Sequence, residues 1–551
     1  MNRSIMKLFL HVMGISFVVL FSLSFFAQPS SGNVTIQVGQ SESKQLLPFV
    51  TNPPENSTFY VSRNGTNLSG RSWHNAWQDF DQIEWDLVEP GDIILIDGGA
   101  ESMTYYTAIH PEVSGTAAKP IVIQLADLEG RDGQAILFGG NSVPLPECGQ
   151  LTWNENEHAE AGIAGIHLEN GISNIQVDGR KRSGIVIHGW YEHGVKFYPD
   201  KIDNNLDDNP QDISLSYLEI FNNGRIERKN DGSSLNLYYP LHSGAGIKLA
   251  GAGHEFRFLE VHDNAGDAIQ SAFTNPTGGV FNNMDDLTLS DSWLYNQRPH
   301  SGTDNSPVGE TCTAQDRSGC DELGAPHMGS DYQDYPAEPP FRRESFNWCT
   351  HSDGIQIFSA DEFNTMRIDR TIIGPNFMNA LILGDRNNAN ESAWVNDLTL
   401  RDVVLTRYMH NAVGMKNAPG QAGENWVFSN VTMYGHFSNT KKDTVSIDSD
   451  LTGPDHRILN SVMVHGRTEF LGGNVAFSNN CEFGLYSGSI GGEVLDPNFE
   501  TLMVGDVFAD DLAIDFATVF LDNYSIGTPF CQAYGSRVRS VSELFAEPNQ
   551  K

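Results

Sequence analysis

Apolar and polar positions alternate along this chain in short runs, and Gly, Asn and Asp separate one run from the next. Phe256-Arg257-Phe258-Leu259-Glu260-Val261, Leu398-Thr399-Leu400-Arg401-Asp402-Val403-Val404, Met366-Arg367-Ile368 and Trp426-Val427-Phe428 are of this kind. Period-two alternation bounded by turn residues predicts strands with one buried face. A second pattern lies over the first: a small or polar residue, then Gly or Ala, an aliphatic, and a variable residue. It appears at Ala164-Gly165-Ile166-His167, Ser183-Gly184-Ile185-Val186, His193-Gly194-Val195-Lys196, Ala245-Gly246-Ile247-Lys248 and Asp267-Ala268-Ile269-Gln270. Asp353-Gly354-Ile355-Gln356, Asn379-Ala380-Leu381-Ile382 and Asn411-Ala412-Val413-Gly414 complete the series. Several of these phrases recur at intervals of about 20–26 residues, which is the range of one solenoid turn. An antiparallel sandwich spaces its strands similarly, but its strands need not repeat in kind, and these do. The predicted fold is all-β, a parallel β-helix.

Four segments follow from the same pattern. Residues 1–27 carry Arg3 and Lys7 ahead of an apolar run, Ile15 to Phe26, too short to span a membrane, with Ala27 as a cleavage point. This reads as a signal peptide, and the mature protein is expected to be secreted. Residues 28–140 form an N-terminal cap and first turns: Trp73, Trp77, Phe80, Ile83 and Leu87 fall at helical spacing and predict a capping helix over the open end of the strand stack. Residues 141–470 are the β-helix body. It is broken by a long excursion, 298–351, rich in Pro and carrying Cys312, Cys320 and Cys349, which is expected to wall a groove. Residues 471–551 read as a C-terminal cap with room for one extra strand pair.

Charge narrows the partners. Asp and Glu number 70 against 34 Lys and Arg, for a formal charge of −36. Such a surface repels nucleic acid and anionic membrane, so neither is an expected partner, and a monomer is expected. Six cysteines in an exported chain can pair as disulfides, with Cys312–Cys320 and Cys481–Cys531 the first candidates. No cysteine spacing has the form of a metal site.

Stacking turns the repeated phrase into columns. In Asp353-Gly354-Ile355-Gln356-Ile357 the isoleucines point inward and Gln356 outward. The outward column then holds His167, Val186, Lys196, Lys248, Gln270, Gln356, Ile382 and Gly414, and the turn column includes Asp267 and Asp353. If the excursion adds no turn, these two aspartates are about 5 Å apart, the strand spacing. Two carboxylates that close raise one pKa, or hold a cation between them. Calcium is therefore a candidate cofactor, with Asp267 and Asp353 as metal ligands. Asp385 and Arg386 follow the next strand and Lys416 the one after; His351 adjoins Asp353. Lys248, His351 and Arg386 are candidate bases; Lys196, Gln270, Gln356, Asp385 and Lys416 are candidate substrate-binding residues. Trp190, Tyr191, Tyr238, Tyr239, Trp293, Tyr295 and Trp348 lie near turns, where aromatic rings can stack on sugars.

The order Tyr60-Val61-Ser62, Asn64-Gly65, Trp73…Ala76-Trp77, Pro90-Gly91-Asp92 and the apolar strand Ile93–Ile96 resembles the N-terminal cap of secreted right-handed parallel β-helix proteins of the pectate-lyase-like superfamily. Asp267 and Ser352-Asp353-Gly354-Ile355 resemble the aspartates that polygalacturonase-type hydrolases carry on successive turns. The Gly-His-Gly and Arg-Ile-Lys motifs of those hydrolases are absent, as are the Asp-Pro-His of alginate epimerases and the Asn/Lys/Arg set of alginate or chondroitin lyases. The resemblance implies a polysaccharide partner. Because lysines line the outward column, the first expectation is a polysaccharide lyase acting on a uronate-containing glycan by β-elimination. Glycoside hydrolysis by Asp267 and Asp353 is the alternative, and glycan binding without catalysis is the third.

Overall fold

A computed structural model describes residues 56–140, 163–197, 209–224, 226–228, 238–240, 244–271, 284–296, 353–358, 363–375, 377, 379–384, 395–408, 411–416, 424–435, 443–448, 456–470, 475–485, 535–538 and 541–545. The expected signal peptide, most of the cysteines and the 298–351 excursion lie outside these residues.

The strands stack in parallel, turn upon turn, into three ladders. The first is a sheet of twelve strands running from Thr58–Val61 through Gln211–Ser216, Phe363–Asp369 and Val395–Arg401 to Val475–Ser478. The second runs from Ser102–Tyr105 through Ile185–His188, Leu218–Phe221, Glu260–His262 and Trp293–Tyr295 to Cys481–Leu485. The third runs from Ala164–His167 through His193–Lys196, Ile247–Leu249, Ile269–Ser271, Ile355–Phe358 and Asn379–Gly384 to Asp443–Asp448. One long strand, Val462–Phe470, turns the corner and belongs to both the second and third ladders. This is a parallel β-helix, and among the described residues its first and second ladders each add one strand beyond residue 470, Val475–Ser478 and Cys481–Leu485.

Period-two alternation sets the core. In the first sheet Phe59, Ile94, Ile123, Val177, Leu215, Phe256, Leu289, Ile368, Leu400, Phe428 and Ile458 lie in one register column, every one of them buried. Truncating one of these side chains to Ala opens a cavity costing about 2–5 kcal/mol. The small residue of the repeated phrase has a packing cause. A Cβ on Gly246 would sit 2.5 Å from Val261 Cγ1, and one on Gly354 would sit 2.4 Å from Ile373 Cγ2. The third ladder enters each turn pressed against aliphatics of the second, and only Gly or Ala fits.

The corner between first and second ladders is tight on turn after turn. One residue there takes a left-handed conformation: Tyr217, Phe258, Asp291, Arg370, Asp402, Asn430, Asn460 and Asn479, with φ between 45° and 58°. Asn and Asp tolerate this region. Tyr217 and Phe258 do not favour it, and their rings stack on each other at 4.5 Å. Connections on either side of the third ladder are longer and unequal. The strand Ile269–Ser271 pairs with Ile355–Phe358 although Gln270 and Gln356 are 86 residues apart in the chain.

Two sequence expectations are corrected. Residues 73–87 form no α-helix. They hold two short 3-10 turns, Phe80–Gln82 and Trp85–Leu87. The segment still covers the first turn: Trp77 stacks on Phe59 at 5.1 Å, and the free edge of Thr58–Val61 exchanges backbone hydrogen bonds with Gly70 and Trp77. Pairing that edge required extended backbone, which a helix cannot offer. The second correction concerns Ser183-Gly184-Ile185-Val186, which falls on the second ladder, with Val186 between Ile136 and Glu219. Both ladders ask for a small residue followed by an inward aliphatic, so the phrase alone does not say which ladder it serves.

Candidate functional site

The outer side of the third ladder carries one continuous row. Its register runs His167, Lys196, Lys248, Gln270, Gln356, Ile382 and Gly414, one residue per turn. Period-two alternation faces these positions outward, while Ile166, Val195, Ile247, Ile269 and Ile355 fill the core. Lys196 and Lys248 are nevertheless only 2% and 3% exposed. Lys248 Nζ donates to Gln270 Oε1, and Gln270 Nε2 donates to Gln356 Oε1 at 2.8 Å.

The excursion adds no turn between Asp267 and Asp353, so the two aspartates stand on neighbouring turns, as the spacing predicts. Their carboxylates do not face one another across an open gap. Asp267 Oδ1 accepts from the backbone N–H of Asp353 at 2.7 Å, and its Oδ2 accepts from Gln270 Nε2. Asp353 Oδ1 accepts from Asn379 N and Nδ2 at 2.9 and 2.7 Å, and its Oδ2 accepts from Gln356 Nε2 at 3.0 Å. Each aspartate thus caps a backbone amide of the following turn, at the corner where the ladder begins. Burial, then the neighbouring Asp353 carboxylate, pushes the Asp267 pKa well above the usual carboxylate value. His193, at the same corner, is held well below its ordinary pKa by burial and by Lys248 and Lys196, and is neutral.

This donor pattern bears on calcium. Ca²⁺ takes several oxygen ligands from carboxylates and carbonyls, and here all four carboxylate oxygens are already engaged with N–H donors. The aspartate pair does not fit the ion.

Of the other sequence candidates, His351, Asp385 and Arg386 lie outside the described residues, and of Lys416 only the strand position, beside Gly384 and Asp448, is described. Trp348 is outside them too. Tyr238 and Tyr239 fall on a two-stranded antiparallel pair, Ile226–Arg228 with Tyr238–Pro240, that leaves the helix just before Ile247–Leu249. Trp190, Trp293 and Tyr295 are buried and take packing roles rather than presenting open faces to a sugar. Trp190 Nε1 donates to Leu137 O, and Trp293 Nε1 donates to Gly374 O.

Sequence reasoning missed two residues at the head of the row. His110 enters from the preceding turn, where Ile109 bridges Ile166, and Glu169 follows two residues after His167. The spacing of His167 and Glu169 was a visible signal. His110 gave none, because only the bridge brings it there.

The three parallel ladders place the chain among parallel β-helix proteins. No protein-family model matches it, and no curated protein matches it by sequence. Among solved structures it is similar to pectate lyase Pel9A, at 16% identity over 72% of this chain and 78% of that one, with a TM-score of 0.34. It is also similar to XylC in complex with xylose, at 9% identity over 80% and 87%, TM-score 0.41. Endopolygalacturonase I from Stereum purpureum matches at 10% identity over 73% and 86%, TM-score 0.28. The fold assignment rests on the ladders and not on these scores.

Proposed function

We propose that this protein is an exported enzyme that cleaves an acidic, uronate-containing polysaccharide by β-elimination. The observation that carries this reading is the pair Lys196 and Lys248, adjacent in register, outward on the third ladder and almost wholly buried. Two ammonium groups one strand spacing apart repel more strongly the less water surrounds them. Gln270 and the nearby Asp267 already engage Lys248, and a sugar carboxylate beside the two ammonium groups adds a favourable charge that a neutral sugar does not. In a chain so acidic, the row is a local inversion of sign that selects an anion by its chemistry.

In this reading Lys196 faces the uronate carboxylate and lowers the barrier to removing the proton at C5. Lys248 is the candidate base that accepts that proton. The C4–O4 bond breaks as the C4=C5 double bond forms, and the leaving oxygen takes a proton from water. Gln270 and Gln356 hold the sugar hydroxyls. His351, Arg386, Asp385 and Lys416 keep the candidate roles that their sequence positions suggest. The hydrolytic alternative draws on one observation, the raised pKa of Asp267, which would suit a general acid. The engagement of both carboxylates with backbone and amide donors favours the elimination.

A panel of uronate and sulfated polysaccharides, read both by ultraviolet absorbance of the unsaturated product and by reducing ends, tests the reading. Absorbance rising on a uronate polymer, and lost in Lys248→Met, is expected. Reducing ends without that absorbance would assign hydrolysis. Retention of glycan with neither signal would assign binding alone.

A further inference from the structure

The head of the outward row, one turn before Lys196, brings together His110, His167 and Glu169. We infer that these three side chains form a binding site for a divalent transition cation of the zinc type. The site goes beyond the proposed elimination and stands whether or not that reaction occurs.

The geometry comes first. The ligand atoms of the three residues all lie within 4.8 Å of one another. His110 Nε2 is 3.1 Å from Glu169 Oε1, and His167 Nε2 is 3.6 Å from Glu169 Oε2. Tetrahedral coordination with bonds of about 2.0–2.1 Å requires ligand atoms roughly 3.3 Å apart; each imidazole nitrogen lies near that distance from one of the two Glu169 oxygens, and a small turn of the carboxylate brings one oxygen to both. The imidazole rings stack at 4.9 Å, 20° from parallel. Drawing the two nitrogens onto one ion requires a rotation of His110, whose side chain is 40% exposed and lies at the edge of the fold.

The backbone fixes the rest. Ile109 N donates to Gly165 O and His167 N donates to Ile109 O, both at 2.9 Å, so the two histidines are held side by side across one strand spacing. His167 is buried within its strand, and Glu169 lies two residues beyond it, on the same side. One ligand therefore comes from a strand end, one from the residues just after it, and the third, His110, from the bridged neighbouring segment.

Donor type decides the ion. Two imidazole nitrogens and one carboxylate suit Zn²⁺ and its first-row neighbours, whereas Ca²⁺ and Mg²⁺ prefer oxygen. Three protein ligands leave a fourth position open, as in sites that admit water or a ligand oxygen. The carboxylate of Glu169 offsets part of the ion's charge. His167 pairs directly with Lys196 in register, so an ion here would continue the cationic row, and an oxygen of an anionic sugar could complete its shell.

The test uses the full mature chain, stripped with chelator and titrated with Zn²⁺ by calorimetry and with Co²⁺ by visible absorption. One equivalent of Zn²⁺ is expected to bind, and Co²⁺ to develop the intense d–d bands of a low-coordinate site. His110→Ala and Glu169→Gln should each weaken binding by about tenfold or more and abolish those bands. His74→Ala, at an exposed histidine outside the cluster, should change neither. Thermal melting checks that each variant is folded; His110→Ala removes a partly exposed ring and leaves the paired strand intact. Absence of stoichiometric binding, or binding that both variants retain, would overturn the site and leave a His–Glu–His cluster that holds no ion. Neither result depends on lyase activity, so failure of the metal site and failure of the elimination are separately visible.

Discussion

The second and third ladders share one core and one set of inward aliphatics, yet their outer faces handle charge in opposite ways. On the second ladder each charge meets its counter-charge inside the molecule. Arg182 makes a two-pronged contact with Glu260 at 2.8 and 3.0 Å, Tyr295 Oη donates to Glu260 at 3.0 Å, and Phe545 packs under the guanidinium at 4.7 Å. His262 lies between the rings of Phe221 and Tyr295, its two nitrogens facing Asp263 at 2.8 Å and Glu219 at 3.3 Å. On the third ladder Lys196 and Lys248 stand side by side, with neutral glutamines beyond them. One face carries buried carboxylate–cation pairs; on the other, Lys248 is tied to Gln270 and lies close enough to Asp267 to act on its carboxylate. Connection lengths differ too: from Gln211–Ser216 onward the corner between first and second ladders is tight, while longer excursions flank the third.

The largest effect that can break this contrast is on activity. Lys248→Met should lower turnover of a uronate polymer by about 10²–10⁴-fold with little change in melting temperature. Equal loss on neutral and acidic substrates would remove the special status of the third face. Next is Asp353→Ala, which strips the acceptor from Asn379 N, Asn379 Nδ2 and Gln356 Nε2. Leaving buried donors without acceptors costs about 1–3 kcal/mol each at most, so chemical denaturation should show a drop of a few kcal/mol. Asp353→Asn should lose less, since one oxygen remains.

On the second face the effects are on stability alone. Glu260→Gln should cost about 1–3 kcal/mol, discounted for the partial exposure of Arg182, and leave polymer cleavage unchanged. A pH series sharpens the same point. Burial lowers the pKa of His262, but Asp263 and Glu219 outweigh it and raise the value from 6.5 to about 9. A raised folded-state value means the stabilisation is fully present below pH 6.5 and is lost as pH climbs through 9. Denaturation midpoints should fall across that window in the native chain, and His262→Gln should flatten the fall. The smallest expected change is Phe545→Ala, about 0.5–1 kcal/mol from one cation–π contact.

The C-terminal residues show how far an end of the chain can travel. The described part of 535–545 lies along the corner between first and second ladders. Gly535 N donates to Asn460 O, Ser536 Oγ to Asp402 O, and Arg537 pairs with Asp402. Glu543 O receives Arg370 Nη2 at 3.4 Å, and Phe545 reaches Arg182. The contacts run from Asn460 through Asp402 and Arg370 to Arg182, back toward the earlier turns. Nothing in the composition of that segment distinguishes lying along a flank from closing an end, because both need only a few polar contacts at regular spacing.

Alternation and the small-then-aliphatic phrase determined the parallel ladders, the inward columns and the outward row of Lys196, Lys248, Gln270 and Gln356. They could do so because strand geometry converts residue parity directly into side-chain direction. The adjacency of Asp267 and Asp353 was legible for the same reason, once the excursion was taken to add no turn. Tertiary structure alone decided which ladder Ser183–Val186 joins, that residues 73–87 hold 3-10 turns and bridge the first strand at Trp77, that the aspartates serve as amide caps, and that His110 meets His167 and Glu169. Each of these depends on register between turns, and register is set by packing across the core and around the corners, not by any local run of residues.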